Sequence, residues 1–301
     1  MPEWKSRFIE KYSKLTDIDK FLETSIKPLR KSIRVNTLKV TVKELKERLS
    51  LDYEQIPWCR EGFWVNGYAI GNTIEHFLGY IYLQGAASMI PPIVLNPKPY
   101  DLVLDMCASP GSKTSQMAAM MNNTGLIIAN DKDMKRMKPL HLNLDRCGVT
   151  NTVITLMDGK SFADQKIKFD KILLDAPCSG IGTIRKSLQT IKIWNENYAK
   201  RMARLQKKLL VSAFKVLKEG GCLVYSTCTL EPEENEEVID WFLTDNSQAK
   251  LENIELDIKH GSPIKEYNNK TFHKDIKKCL RIWPQDNDTE GFFVAKIKKL
   301  S

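Results

Sequence analysis

Beyond residue 100, short apolar runs alternate with segments whose apolar positions recur every three or four residues. Residues 102–104, 125–130, 153–156, 169–174, 222–226 and 292–297 read as strands. Between them, residues 113–121, 133–147, 196–217 and 231–243 read as helices, with Gly220-Gly221 as the expected cap of the third. Apolar strands alternating with helices predict an α/β fold: a mostly parallel sheet with helices on both faces. The first 90 residues follow a different pattern, with strand-like stretches at 32–38 and 62–68 and a helix-like one at 42–49. Pro91-Pro92 and Asn96-Pro97-Lys98-Pro99 break the pattern. The chain is therefore expected to divide into a small N-terminal α+β domain, 1–90, and a larger Rossmann-like domain, 91–301.

Composition narrows the class. The chain has 301 residues, 42% of them hydrophobic and 28% charged, which excludes wholesale disorder and fibrous architecture. No run approaches the ~20 apolar residues of a membrane span. No apolar segment follows Met1-Pro2-Glu3-Trp4-Lys5, so no secretory leader is expected. Seven cysteines cannot all pair, none sits in a Cys-x-x-Cys spacing, and there are only four histidines. That pattern predicts free thiols in a cytoplasmic protein and no metal framework. Net charge is +9, which favours a polyanionic partner. Ten basic residues and one acid lie between Arg185 and Lys218, and eight basic residues and two acids between Lys27 and Arg48. Seven acids and no base lie between Glu231 and Asp245.

In sheets of the expected kind, ligands bind beyond the carboxyl ends of the strands. After the first strand comes Asp105-Met-Cys-Ala-Ser-Pro-Gly-Ser-Lys-Thr114, a small-residue turn entering a helix. It is not a phosphate-binding P-loop, because Cys107 and Ser112 occupy the two glycine positions. Asp131 follows Gly111 by 20 residues, the place of a ribose-binding carboxylate, and Asp158 follows the third strand. Without Gly-x-Gly-x-x-Gly, these predict a nucleoside carried by something other than a dinucleotide. The fourth and fifth strands end in Asp175-Ala-Pro-Cys-Ser-Gly180 and Tyr225-Ser-Thr-Cys-Thr229. If these strands pair at ~4.8 Å, Cys178 and Cys228 face one pocket, as a reactive pair rather than as buried hydrophobes or a disulfide.

Together with Glu-Glu-Asn-Glu at 233–236 and Gly-Phe-Phe-Val-Ala at 291–295, these motifs resemble, in order, the Sun-type RNA cytosine-C5 methyltransferase family. The resemblance runs from about Arg34 to Ile297. It implies a class I methyltransferase core, S-adenosyl-L-methionine as cofactor and RNA as substrate, with tRNA the first expectation and rRNA the second. A catalytically silent RNA-binding assembly factor is the alternative of another class. The short chain, with no large RNA-binding extension, favours tRNA. A monomer is expected.

Carried over by position, the resemblance gives Cys107, Ala108, Ser109, Pro110, Gly111, Ser112 and Lys113 to the methionine part of the cofactor. It gives Asp131 to the ribose, Asp158 to the adenine edge, Arg136 to the cofactor's surroundings, and Asp175 to both cofactor and target base. It makes Cys228 the nucleophile and Cys178 the release group; the residues alone leave these two interchangeable. Carbon 5 of cytosine becomes nucleophilic once a thiolate adds to carbon 6, and Asp175, protonated or sharing a proton, is the expected donor to N3. Arg34 and Asn36 lie in an Arg-Val-Asn motif of the family, with Gln84 nearby. Arg281 to Gln285 departs from an Arg-x-x-Pro-His pattern at Gln285, and Ser187-Leu188-Gln189 lacks a common Asn-Pro. The RNA contacts expected are Arg34, Asn36, Arg185, Lys186, Arg201, Arg204 and Lys208, the spacing of the last three putting them on one helix face.

Overall fold

The computed structural model describes residues 4–66 and 69–301. Helices α1 (Ser6–Tyr12) and α2 (Ile18–Ile26) open the described chain. Phe8, Tyr12 and Phe21 pack on Trp194 and Trp283 from the far end of the sequence.

Next comes an antiparallel sheet made of β1 (Ser32–Val35), β2 (Asp52–Gln55), β3 (Gly62–Asn66) and β4 (Ile81–Leu83), in the order β2-β3-β1-β4. Helix α3 (Val42–Arg48) starts where Thr41 and Glu44 satisfy each other's backbone amides in a capping box. The short α4 (Ile74–Phe77) precedes β4. The strand expected over 32–38 stops at Val35, because the Asn36 amide turns aside to donate to the carbonyls of Gly79 (2.8 Å) and Cys147 (2.7 Å). The last two residues of the strand expected over 62–68, Gly67 and Tyr68, lie outside the described residues. Pro91 and Pro92 do not break the chain. They open α5 (Ile90–Leu95), where proline's missing N–H costs nothing.

The large sheet follows. Its elements are β5 (Leu102–Asp105), α6 (Ser112–Met120), β6 (Leu126–Asp131), α7 (Met134–Cys147), β7 (Thr152–Leu156), β8 (Phe169–Asp175), α8 (Gln189–Ile193), α9 (Glu196–Lys215), β9 (Leu217–Thr227), α10 (Glu236–Asp245), β10 (Ala249–Glu252) and, after the small hairpin β11 (Glu266–Tyr267) and β12 (Lys270–Thr271), β13 (Leu280–Ile282), α11 (Pro284–Asn287) and β14 (Phe292–Lys299). The strand order is β10-β14-β9-β8-β5-β6-β7, with β13 on β14. β5 to β9 run parallel, while β14 inserts antiparallel between β9 and β10. Successive strand residues point to opposite faces. Leu104, Ile172, Leu174, Leu223 and Tyr225 meet Leu210 and Ala213 of α9. Val103, Leu173 and Val224 meet Ile90 of α5 and Met117 and Ala118 of α6. The chain builds outward from β5 through β6 to β7, then returns to β8 on the other side of β5. A crevice opens at that reversal.

Two expectations fail here. The long helix ends at Lys215, and Gly220-Gly221 lie inside β9, where Gly220 takes φ +72° in an exposed bend. The acidic helix starts at Glu236, not Glu231. Before it runs a 3-10 turn, Pro232–Glu234, whose carboxylates reach distant partners.

Candidate active site: two thiols at the strand ends

The turn after β5 comes close to α7. Gly111 takes φ +98°, and a Cβ there would sit 3.1 Å from Leu140, so glycine is favoured on both counts. The turn delivers Lys113 to Asp175, Nζ to Oδ2 at 2.6 Å. The Ser226 hydroxyl donates to the other oxygen, Oδ1, at 2.7 Å. Both oxygens of Asp175 are thus engaged, one by Lys113 and the other by Ser226. Burial pulls the Lys113 ammonium down, but the Asp175 carboxylate outweighs it and holds the pKa above the usual lysine value. Thr114 donates to the fully buried Asp105 at 2.7 Å, and burial pushes that carboxyl up to about 7.

Asp131 ends β6. Its oxygens accept from the backbone of Ser109 (3.3 Å) and Asp133 (3.1 Å) and pair with Arg136 (3.2 Å). Arg136 also donates to the Ser109 carbonyl, so the acid and the arginine fix the loop together. Asp158 caps the turn after β7 by accepting from the Lys160 amide (3.0 Å) and pairs with the Lys160 ammonium (3.0 Å). Burial alone would raise its pKa, and the two Lys160 groups hold it below the usual carboxylate range.

Asp175 and Ser226 face each other across β8 and β9. Cys178 and Cys228 lie just beyond them, their sulfurs 3.3 Å apart and both free. A hydrogen bond from the Cys178 thiol lowers the pKa of Cys228. Burial and Asp175 oppose this, and the ammonium groups of Lys113 and Lys186 reinforce it. Cys178 is driven the other way, first by that same bond and then by burial. The pair therefore resolves into a thiolate-prone Cys228 and a proton-holding Cys178. Gly182 permits the tight fit behind Cys228: its N–H donates to the Cys228 carbonyl at 2.9 Å, and a Cβ there would lie 2.1 Å from the Gly291 carbonyl.

One cavity is lined by Cys107, Ser109, Asp131, Arg136, Asp158, Asp175, Cys178 and Cys228. It brings together residues that the sequence placed at five different strand ends. A wider cleft of about 1380 Å³ lies between the N-terminal sheet and α6, near Lys43, Lys46, Trp58 and Arg60, and no cysteine lines it. Among the described residues no cluster of metal-ligating side chains forms, and no helix is long and apolar enough to cross a membrane.

The expected RNA contacts divide. Arg201, Arg204 and Lys208 are exposed on α9, and Arg201 lies 4.8 Å from the Tyr198 ring. Lys186 is half exposed and pairs with Glu290 at 2.5 Å. Arg34, Asn36 and Arg185 are corrections. Arg34 is buried and donates to Gln84 and Ser115, both at 2.8 Å, fastening the N-terminal sheet to α6. Asn36 is buried against α7. The Arg185 guanidinium, 1% exposed, is held by Asp288 at 2.6 Å. Gln285 donates to Thr16 at 2.9 Å, tying α11 to the N-terminal helices.

Sequence reasoning missed Gln206, Glu234 and Asn235, which touch the segments carrying the thiols. The available signal was their neighbourhood: two follow Cys228 within seven residues, inside a motif that carried no assigned role.

Fold and site together describe an RNA-modifying methyltransferase core, and comparison with known proteins agrees. Residues 92–298 match the family model described as 16S rRNA methyltransferase RsmB/F. Residues 5–86 match the N-terminal domain of 16S rRNA methyltransferase RsmF. The chain belongs to the RsmB/F, or Sun-type, family of RNA cytosine-C5 methyltransferases. A tRNA (cytosine(49)-C(5))-methyltransferase from Pyrococcus abyssi is 48% identical over 298 residues, covering 97% of this chain and 96% of that protein. Ribosomal RNA small subunit methyltransferase F from Shewanella loihica is 40% identical over 302 residues, covering 94% of this chain; the chain spans only 59% of that protein's length. The crystal structure of NSun6 from Pyrococcus horikoshii with SFG superposes with a TM-score of 0.87 at 26% identity, covering 99% of this chain and 98% of that one.

Proposed function

We propose that this protein methylates carbon 5 of a cytosine in tRNA, with S-adenosyl-L-methionine as methyl donor and Cys228 as covalent nucleophile. The observation that carries the reading is the pair of free thiols, 3.3 Å apart, at the ends of β8 and β9. Full-length similarity to a tRNA methyltransferase supports tRNA. The RsmF relatives support rRNA as the second reading. The donor set suits the cofactor. Asp131 and Asp158 line one cavity from neighbouring strand ends, and a carboxylate has about four acceptor sites, enough for ribose hydroxyls beyond its present partners. A relative crystallised with an S-adenosylmethionine analogue supports the same choice. When bound, S-adenosylmethionine supplies an electrophilic methyl group.

The residues of the chain do the rest. The Cys228 thiolate adds to carbon 6, and the charge that develops on the ring is met by a proton from Lys113, which Asp175 holds in place. That addition leaves carbon 5 nucleophilic. After carbon 5 is methylated, its remaining proton leaves to a base. The electrons of that C–H bond re-form the C5–C6 double bond, the C6–S bond breaks, the Cys228 thiolate departs, and the ring returns to Lys113 the proton it took up on addition. Cys178 is the group beside that thiolate, and we assign it to release. Exposed Arg201, Arg204 and Lys208 are the assigned phosphate contacts, and residues 1–90 are assigned to RNA binding. The protein acts as a cytoplasmic monomer in this reading.

The test is a denaturing gel with a tRNA transcript and S-adenosylmethionine. Cys228→Ala gives neither methylation nor adduct. Cys178→Ala gives methyl transfer and a persistent protein–RNA band. The reverse pattern exchanges the roles. A 16S rRNA transcript methylated in preference to tRNA selects the second reading. In calorimetry Asp131→Ala weakens S-adenosylmethionine binding; unchanged affinity removes Asp131 from the ribose.

A further inference from the structure

Glu234 and Asn235 are consecutive, and both are fully buried. Glu234 Oε2 accepts from the Ser179 amide at 3.0 Å and from Gln206 Nε2 at 2.8 Å. The same Gln206 nitrogen donates to the Pro177 carbonyl at 2.9 Å. The backbone on both sides of Cys178 is thus held by one Glu234–Gln206 pair. Asn235 does the same for the other thiol. Its Oδ1 accepts from the Thr227 hydroxyl at 2.6 Å, and its Nδ2 donates to the Thr229 carbonyl at 3.0 Å. The Ser179 and Thr229 hydroxyls join the two brackets at 2.7 Å. The Tyr225 hydroxyl anchors the dipeptide itself, donating to the Glu234 carbonyl at 2.6 Å.

We propose that Glu234 and Asn235, with Gln206 as partner of the first, are positioning residues that set the separation of the two thiols, Asn235 by bracketing Cys228 and Glu234 by bracketing Cys178. One dipeptide grips both loops, so the backbone carrying one thiol does not shift relative to that carrying the other without breaking a buried hydrogen bond. Part of this inference rests on the assignment of attack to Cys228 and release to Cys178. Asn235 then governs formation of the adduct and Glu234–Gln206 its breakdown.

Two readouts separate the inference from that assignment. The first uses the protein alone with diamide, which takes one hydrogen from each thiol as the disulfide forms. The Cys178–Cys228 peptide is followed by mass spectrometry. Losing the two bracket hydrogen bonds that each side chain makes slows this about tenfold in Gln206→Leu and in Asn235→Ala. Glu234→Gln, which keeps an acceptor for the Ser179 amide, stays within about twofold, while Glu234→Leu falls with Gln206→Leu. The second readout is adduct kinetics with tRNA and S-adenosylmethionine. Gln206→Leu lengthens adduct lifetime about tenfold more than it slows adduct formation, and Asn235→Ala slows formation more than breakdown.

Equal slowing of formation and breakdown in both variants, as general loosening would give, overturns the proposal. So does an unchanged disulfide rate. Because Gln206→Leu breaks the Cys178 bracket from the α9 side, the outcome does not depend on Glu234→Leu folding. If Cys178→Ala yields no adduct, the assignment of roles fails, and the disulfide rates alone decide on the brackets.

Discussion

The acidic stretch from Glu231 to Asp240 and the basic stretch from Lys200 to Lys208 look alike in the sequence, as runs of one charge sign on helices. In the molecule they are opposites. Arg201, Arg204 and Lys208 are exposed, while the buried face of the same helix is supplied by Ala199, Ala203, Gln206, Leu209 and Leu210. Glu231, Glu233, Glu234, Glu236 and Asp240 are each at most 5% exposed. Lys11 pairs with Glu231 and Glu233, Gln206 with Glu234, Arg281 with Glu236 and Lys270 with Asp240. A buried charge persists only where it is paired and hydrogen-bonded. These five acids are therefore interior groups, of which Glu234 braces a thiol loop, while Arg201, Arg204 and Lys208 are surface free to meet a polyanion.

The largest effect separating the two regions is on stability. Arg281 and Glu236 are both 0% exposed and joined through two hydrogen bonds, 2.7 and 2.5 Å. Arg281→Met leaves the carboxylate buried without its partner and lowers unfolding free energy by about 3–5 kcal/mol in guanidinium titration. The double variant Arg281→Met/Glu236→Leu loses less than the sum of the single changes. Strict additivity would show that the pair is not coupled.

A second, smaller effect is visible in pH. Burial pushes the Glu234 carboxyl from 4.5 to about 7, with Ser179 and Gln206 pulling the other way. Glu234 Oε1 is buried and has no hydrogen-bond partner. With its folded pKa raised, Glu234 stabilises the fold below about pH 4.5, and this contribution is lost as pH rises through about 7. The loss amounts to about 3 kcal/mol. Glu234→Gln lacks this titration. Its stability relative to the parent protein rises between pH 5 and pH 8, by guanidinium denaturation at each pH. A constant difference would show that Glu234 titrates normally.

The smallest effect on stability comes from the basic face. Arg201→Ala, Arg204→Ala and Lys208→Ala each change unfolding free energy by less than about 0.5 kcal/mol. Together they flatten the dependence of log RNA affinity on log salt by about 2, since each phosphate a cation neutralises contributes about 0.7–0.9 to the slope. Arg185→Ala makes a contrasting control. Its charge is already spent on Asp288, so the salt slope stays put. A fall in slope for Arg185 equal to that of the α9 residues would mean that the Asp288 pair opens onto RNA.

Legible in the sequence were the alternation of strands and helices and the placement of Asp131, Asp158, Asp175, Cys178 and Cys228 at strand ends. All of these follow from local periodicity and from counting residues past a strand. Which charges are solvated and which are buried became visible only in the folded chain. Arg34, Asn36 and Arg185 look like surface groups until their partners appear, and the Glu231 carboxylate finds Lys11 across 220 residues of chain. The antiparallel insertion of β14 and the pairing of Lys113 with Asp175 were likewise invisible. So was the grip of one dipeptide on both thiols. Hydrophobic periodicity is carried by each segment alone. Whether a charge stays in water depends on the free energy of its ion pairs and hydrogen bonds, and those are made by residues distant in sequence.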